Sequence, residues 1–257
     1  MGLIDSHCHL NFEPMGDDLD AVLERAKLNN VSHMLCVSVN LEDYPEVLAI
    51  AQRYPNIFAS VGVHPCYEDV QEPTVDELCE LAQHERVVAI GETGLDYFRV
   101  EGDMTWQQDR FVRHIEAGIE VDKPLIIHTR QAAVDTMAML KTHHADQCGA
   151  VMHCFAEDWE TAKKALDLGF YISFSGIVTF NSAKTLKEVA KQVPLDRILV
   201  ETDAPYLAPV PMRGKPNQPA FVAHTAQYVA DLKGMDMETL TAQTTQNFFQ
   251  LFKHARA

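Results

Sequence analysis

Two histidines near the start of the chain, His7 and His9, are separated by a single residue in the segment Asp5-Ser6-His7-Cys8-His9. Side chains at positions i and i+2 of an extended segment lie on the same face. Both imidazoles can therefore bind one metal ion, which is a common role of histidine. Cys8 points to the opposite face and is expected to behave as a small buried hydrophobe. The pair predicts a metal site only if other ligands join it.

Further histidine and acidic residues come directly after short apolar runs elsewhere in the chain. A buried carboxylate is costly unless it is paired or binds a metal ion. A lone histidine on a strand is more often a hydrogen-bonded core residue, so it is the joint placement of these residues that carries the prediction. The residues that follow apolar runs in this way are His64, Glu92, His128, His153, Glu201 and Asp203.

A ligand set of histidine and carboxylate without thiolate suits Zn²⁺, Mn²⁺ or Mg²⁺. One catalytic zinc site needs only three protein ligands and a water molecule. The candidates exceed that number, so we expect two divalent metal ions, with Glu92 able to bridge them. The remaining histidines, assigned to structural or solvent-exposed roles, are His33, His84, His114, His143, His144, His224 and His254.

The elements that must position these residues recur as short β-branched runs, each followed by an amphipathic stretch. Runs without clean alternation suit parallel strands that are covered on both faces. The eight candidate strands are Leu3–Asp5, Met34–Val39, Ile57–Val63, Val87–Gly91, Leu125–His128, Ala150–His153, Tyr171–Phe174 and Ile198–Val200. Helices are predicted over Asp18–Asn29, over Thr105–Val121, over Ala183–Gln192 with Ser182 as its cap, and within Pro219–His254.

This alternation predicts an α/β fold, a (β/α)8 TIM barrel formed by a single domain over residues 1–257. A doubly wound open sheet is the alternative. In a barrel the carboxyl ends of all strands meet at one face, where active sites are built. The histidines and carboxylates would then converge there.

The composition limits the classes of function. The chain has 257 residues and a formal net charge of −16, which argues against broad, charge-driven binding to nucleic acid. A phosphate ester held by metal ions is still possible. No apolar run is long enough to cross a bilayer, and no secretory signal is evident. The six cysteines are scattered and form no Cys-x-x-Cys pair, so we expect reduced thiols and a cytoplasmic protein.

Around the histidines and carboxylates named above, the chain resembles the TatD family of metal-dependent hydrolases, the TatD-type deoxyribonucleases within the amidohydrolase superfamily. The match runs in family order over nearly the whole chain. One departure follows the motif His153-Cys154-Phe155, where the family often has Ser-Gly and this chain has Ala156-Glu157; this puts substrate preference in question. The motifs are Asp5-Ser6-His7-Cys8-His9-Leu10, Gly62-Val63-His64-Pro65, Gly91-Glu92-Thr93-Gly94-Leu95-Asp96, His153-Cys154-Phe155, Glu201-Thr202-Asp203-Ala204-Pro205 and Arg213-Gly214-Lys215-Pro216-Asn217.

The resemblance implies a TIM barrel with two metal ions. It implies that His7, His9, Glu92 and Asp203 bind the first ion and that Glu92, His128 and His153 bind the second. It also implies that His64 faces the substrate or its phosphate, with a supporting role behind the ligands as the alternative.

The expected activity is that of a deoxyribonuclease that removes nucleotides from 3′ ends, with single-stranded or frayed DNA as the partner. A water activated by one or both ions would attack phosphorus. Asp203 is the candidate general base, and Glu92 and His64 complete the catalytic set. Arg130 and Arg213 are candidate ligands of substrate phosphate, with Arg99 and Lys215 in similar loops; Glu201 is expected to pair with an arginine or to support a ligand.

Two alternatives remain. The same site could hydrolyse a small amide, a lactone or an aminoacyl ester, because fold does not fix reaction. The chain could also be a metal-binding barrel without activity, acting as a structural or interaction protein. No obligate protein partner and no membrane association is predicted.

Overall fold

The computed structural model describes residues 2–68, 70–100 and 102–256. Eight strands form one sheet in the order of the sequence, and each strand is parallel to its neighbours. The strands are β1 (Leu3–Cys8), β2 (Val31–Cys36), β3 (Ile57–Val61), β4 (Val87–Asp96), β5 (Leu125–Arg130), β6 (Ala150–Met152), β7 (Tyr171–Phe174) and β8 (Ile198–Val200).

The sheet closes on itself where the last strand meets the first. Just beyond β8, Asp203 N donates to His7 O at 2.9 Å, and His9 N donates to Ala204 O at 2.9 Å. A parallel bridge joins Cys8 to Ala204 at the same seam. The fold is therefore the predicted (β/α)8 barrel, and the open doubly wound sheet is excluded.

Helices connect successive strands and cover the outside of the barrel, and further helices follow β8. They are α1 (Leu19–Leu28), α2 (Tyr44–Arg53), α3 (Val75–Leu81), α4 (Thr105–Glu120), α5 (Ala133–Thr142), α6 (Trp159–Asp167), α7 (Lys184–Gln192), α8 (Val222–Lys233) and α9 (Met237–Leu251). Asp18 caps α1, since its carboxylate accepts from Ala21 N at 3.3 Å. The predicted cap at Ser182 is wrong: α7 begins at Lys184, after Ala183, with no side-chain cap.

The core has two parts. One lies between the strands and the surrounding helices. The other fills the lower interior of the barrel, where inward-facing residues such as Ile126 and Leu199 meet Phe248, Leu251 and Phe252 at the end of the chain. The last helix therefore plugs the N-terminal end of the barrel and leaves the opposite end for the site.

Several strand limits differ from the sequence prediction. β1 continues to Cys8, and β4 continues to Asp96, where it pairs with Arg130 of β5. β2 starts at Val31, because the polar residues Ser32 and His33 belong to the strand, and it ends at Cys36. The predicted strands thus left out polar residues of β1 and β2 and the polar and glycine residues that follow Gly91 in β4.

No helix in the described part of the chain has the length and apolar character needed to span a membrane.

Candidate metal centre

The strand pleat brings the polar residues to one place. Inward-facing apolar residues of the lower barrel, such as Ile126 and Val151, stand two positions before His128 and His153. Because strand side chains repeat with a period of two, the histidines point into the same interior at its upper end. Leu199 places Glu201 there in the same way.

One half of the cluster joins the first strand to the last. His7 Nε2 lies 3.3 Å from His9 Nε2 and 3.3 Å from Glu92 Oε2. Asp203 Oδ1 lies 3.5 Å from His9 Nε2 and 3.7 Å from His7 Nε2. The four residues expected from family resemblance at the first ion are thus in mutual contact.

The other half surrounds the second oxygen of Glu92. Glu92 Oε1 lies 3.0 Å from His153 Nε2, 3.1 Å from His128 Nδ1 and 3.4 Å from His64 Nε2. Glu92 thus directs one oxygen to each half of the cluster, which is the arrangement that a bridging carboxylate requires. All six candidate ligands and His64 come together.

The outer nitrogens of three histidines fix how their rings are protonated. His9 Nδ1 donates to Val37 O at 3.0 Å, His153 Nδ1 to Glu201 Oε1 at 3.0 Å, and His128 Nε2 to Asp96 Oδ2 at 3.0 Å. In the neutral ring the other nitrogen then carries a lone pair. Those nitrogens face the oxygens of Glu92 and Asp203, so a proton or a metal ion must lie between each nitrogen and its oxygen. Such backing of ligand histidines is typical of metal sites.

His64 differs from these three histidines. Its Nδ1 accepts from Cys66 N at 3.1 Å, so the proton of its neutral ring is on Nε2, which faces the cluster. Burial lowers the pKa of His64 to about 3, so the ring is neutral at ordinary pH. Its distances would admit a ligand role, but a protonated nitrogen cannot bind a metal ion. His64 is therefore a hydrogen-bond donor to the site.

The pKa values of the carboxylates and histidines in the cluster are shifted by burial and by one another. Burial alone would raise the pKa of Glu92, but chiefly the charge of the neighbouring His153 holds it well below its usual value. Burial would also raise the pKa of Asp203, but the hydrogen bond from His9 lowers it. For His153 burial acts to lower the pKa, and Glu92 and Glu201 raise it well above 6.5. Both carboxylates are therefore ionised, and they attract protons or cations.

The donor set fits divalent cations. Three groups of three residues each place their ligand atoms within 4.8 Å of one another: His7, His153 and Asp203; His7, His9 and Glu92; and His64, Glu92 and His128. Nitrogen and oxygen donors of this kind suit Zn²⁺, Mn²⁺ and Mg²⁺. Cys8 lies outside the cluster, because its Sγ contacts Leu35 O at 3.5 Å.

Gly94 of β4 lies where the backbone of β5 approaches too closely to leave room for a side chain. Gly94 has φ 139°, and a Cβ added there would lie 1.9 Å from His128 O. Glycine alone tolerates both conditions. The Gly-x-x-Gly spacing thus lets β4 run beside His128 and carry both Glu92 and Asp96 to the site.

Sequence reasoning gave no role to two contributors, Asp5 and Asp96, and left two roles open for a third, Glu201. Asp96 belongs to a motif but had no predicted role, and its Oδ2 accepts a hydrogen bond from His128 Nε2. Asp5 joins the first and last strands by accepting from Thr202 Oγ1 at 2.6 Å and Thr202 N at 2.8 Å. Glu201 was expected to pair with an arginine or to support a ligand, and its contacts are with His153 and Cys154 N. Asp5 and Glu201 each stand two residues before a predicted ligand, and Asp96 stands four residues after Glu92, which was the available signal.

The candidate phosphate ligands lie outside the cluster. The Arg130 guanidinium lies 3.9 Å from the centre of the Phe98 ring, and that of Arg213 lies 3.8 Å from the centre of the Phe180 ring. Arg99, Arg213 and Lys215 are exposed. Arg130 is the last residue of β5, and the other three cations lie in loops beyond the strand ends.

A TIM barrel with a buried histidine–carboxylate cluster at the C-terminal ends of its strands has the architecture of a metal-dependent hydrolase. Residues 4–253 match the family model described as TatD related DNase. The chain belongs to the TatD family.

Relatives and a solved structure agree with this assignment. An Escherichia coli K12 protein named "Uncharacterized metal-dependent hydrolase YcfH" is 50% identical over 98% of this chain and 96% of its own length. The Citrobacter koseri "3'-5' ssDNA/RNA exonuclease TatD" is 34% identical over 97% and 98%. The crystal structure of the TatD homologue YJJV from E. coli K12 superposes with a TM-score of 0.91 at 29% identity, covering 98% of both chains.

Proposed function

We propose that the protein is a metal-dependent deoxyribonuclease that removes nucleotides from the 3′ ends of single-stranded or frayed DNA. The observation that carries the hydrolytic part is the convergence of ring nitrogens from His7, His9, His128 and His153 on the oxygens of Glu92 and Asp203. The choice of nucleic acid is supported by the Citrobacter koseri relative, whose name is that of a 3′–5′ exonuclease.

Two divalent ions, Mg²⁺, Mn²⁺ or Zn²⁺, are the proposed cofactors. His7, His9, Glu92 and Asp203 would hold one ion, and Glu92, His128 and His153 would hold the other. Bound ions of this kind supply Lewis-acid chemistry, which activates water and offsets negative charge on a phosphoryl group.

The chain's own groups then act on water and substrate. Asp203 Oδ1 faces His7 and His9, while Oδ2 makes no hydrogen bond to any described residue. This second oxygen is placed to accept the proton of the attacking water, so Asp203 is the proposed general base. His64 donates from Nε2 to a phosphoryl oxygen of the substrate. Arg130 and Arg213 are the proposed ligands of more distant phosphates.

The test compares substrates and a site variant. Purified protein loaded with Mn²⁺ is assayed on 3′-labelled oligonucleotides and on a panel of lactones, cyclic amides and aminoacyl esters. We expect stepwise shortening of the oligonucleotide from its 3′ end, and loss of that activity in Glu92→Ala. Activity confined to the small-molecule panel would exclude the nuclease. Activity that persists in Glu92→Ala would place the reaction elsewhere.

A further inference from the structure

The exposed apolar side chains of this protein are concentrated around the metal centre. Five large ones are exposed among the described residues: Leu28, Phe98, Val134, Tyr206 and Val210. All except Leu28 lie on segments that leave the carboxyl ends of β4, β5 and β8. Single exposed apolar residues are ordinary, but their grouping around a site marks a binding surface.

Phe98 lies on the β4 side of the site in a fixed position. Its backbone N donates to Asp96 Oδ1 at 2.9 Å, and the other oxygen of Asp96 holds His128. The neighbouring Tyr97 hydroxyl donates to Asp135 Oδ2 at 2.9 Å, which ties this loop to α5. With the Arg130 guanidinium 3.9 Å from its centre, the ring still has 54% of its surface exposed.

Tyr206 lies on the β8 side and is equally well anchored. Its N donates to Asp203 O at 2.9 Å, and its own O accepts from Asn217 Nδ2 at 2.6 Å. The ring centre lies 6.4 Å from that of His9, and 54% of the residue is exposed. Strands four apart in an eight-stranded barrel are diametrically opposite, so Phe98 and Tyr206 stand on opposite sides of the ligand cluster.

We propose that Phe98 and Tyr206 are base-stacking platforms that bind unpaired bases of a single nucleic-acid strand on either side of the scissile phosphate. Arg130, stacked on Phe98, pairs with a backbone phosphate beside the stacked base. This inference rests on the proposed nuclease function and adds how the strand is held. Aromatic rings next to a cation are the usual means of binding single strands without sequence preference.

The arrangement also explains how an acidic protein can bind a polyanion. The formal net charge of −16 provides no general attraction to DNA. Stacking on a ring depends on the face of the base and does not depend on the net charge of the protein. Bases in a duplex are already stacked and paired, so the platforms select unpaired 3′ ends.

The test uses two matched strands with the same phosphates. One is a thymidylate oligonucleotide, and in the other the last three nucleotides carry tetrahydrofuran in place of the base. We expect wild-type KM to be about 10-fold lower for the normal strand, and Phe98→Leu or Tyr206→Ala to raise KM about 10-fold on that strand alone. Phe98→Tyr, which keeps the ring, should restore the wild-type value. Leu28→Ala, an exposed apolar residue remote from the strand ends, is the matched control and should change neither strand.

Binding of 5′-labelled strands measured by fluorescence anisotropy in EDTA separates the two proposals, because it does not need hydrolysis. Preference for the normal strand that is lost in Phe98→Leu supports the platforms. Equal binding of both strands by wild type, or equal loss on both strands in the variants, would overturn them. Failure of Mn²⁺-loaded wild type to cleave either strand would instead overturn the nuclease, whatever the anisotropy shows.

Discussion

His64 lies among the proposed metal ligands, but the nitrogen of its neutral ring that faces the cluster carries the proton. Its Nε2 carries the proton because Cys66 N occupies Nδ1. We expect His64→Ala to lower kcat about 100-fold, as loss of one donor to developing charge does, while metal content stays at the wild-type level. His128→Ala is the comparison and should lose metal. Metal analysis of both proteins beside their kcat values decides the point; equal metal loss in the two would make His64 a ligand.

Glu201 contacts the proposed ligand His153 and is not itself a proposed metal ligand. Glu201→Gln keeps an oxygen for His153 Nδ1 but removes the negative charge that makes the ring a stronger base. We expect metal affinity to fall about 10- to 100-fold, measured by titration of the metal-free protein. Glu188→Gln, a surface residue paired with Lys191, is the control and should bind metal as wild type does. Unchanged affinity in Glu201→Gln would remove this role.

At the scale of elements, a buried histidine joins helix α4 to the end of β3. His114 Nδ1 donates to Arg110 O at 2.8 Å, and Nε2 accepts from Val63 N at 2.9 Å. Both nitrogens are used by the neutral ring, and burial lowers the pKa of His114 from 6.5 to about 4. The unfolded chain therefore takes up a proton below pH 6.5 that the folded chain refuses until about pH 4.

This linkage predicts a loss of stability on acidification. The contribution of His114 is complete above pH 6.5 and is lost as the pH falls to about 4, by about 3 kcal/mol in the free energy of unfolding. His114→Gln keeps a donor and an acceptor without titrating, so its urea midpoint should fall less between pH 7 and pH 4.5. His144→Asn, at an exposed left-handed position, should follow wild type. Parallel curves for all three proteins would contradict the assignment.

The elements also show what the sequence could predict. All eight strands were placed, because apolar runs mark buried parallel strands well. The convergence of the candidate metal-binding residues followed from their positions at the strand ends. Side-chain partners across the barrel were not predictable in the same way. Asp5 and Thr202 are 197 residues apart, and the contact depends on the register with which the barrel closes. The Asp96–His128 pair likewise needs the extension of β4 beside β5, which two glycines concealed.

At the scale of the whole molecule, the acidic surface predicts how nucleic-acid binding responds to salt. Only Arg130 and Arg213 are proposed to neutralise phosphates, and each contact on a single strand contributes about −0.7 to the log–log slope. We expect an overall slope of about −1.4, measured as oligonucleotide Kd against NaCl concentration, with Arg130→Gln shallower by about 0.7. Lys163→Gln, on the surface of α6, should leave the slope unchanged. A slope near that of a repressor, about −10, would contradict binding dominated by metal and stacking.

The seam between β1 and β8 has a consequence for biosynthesis. His7 and His9 leave the ribosome long before Asp203. Two hydrogen bonds join the ends of β1 and β8, from Asp203 N to His7 O and from His9 N to Ala204 O, and they form only after the last strand has been made. Contacts between residues far apart in the sequence are slower to form than local ones, because a long loop must close. A growing or prematurely released chain that ends before β8 thus carries histidines without their carboxylate partner. Each molecule can complete the proposed first ion site only near the end of its own translation, so under the proposed function an incomplete chain would have no finished site with which to act on nucleic acids.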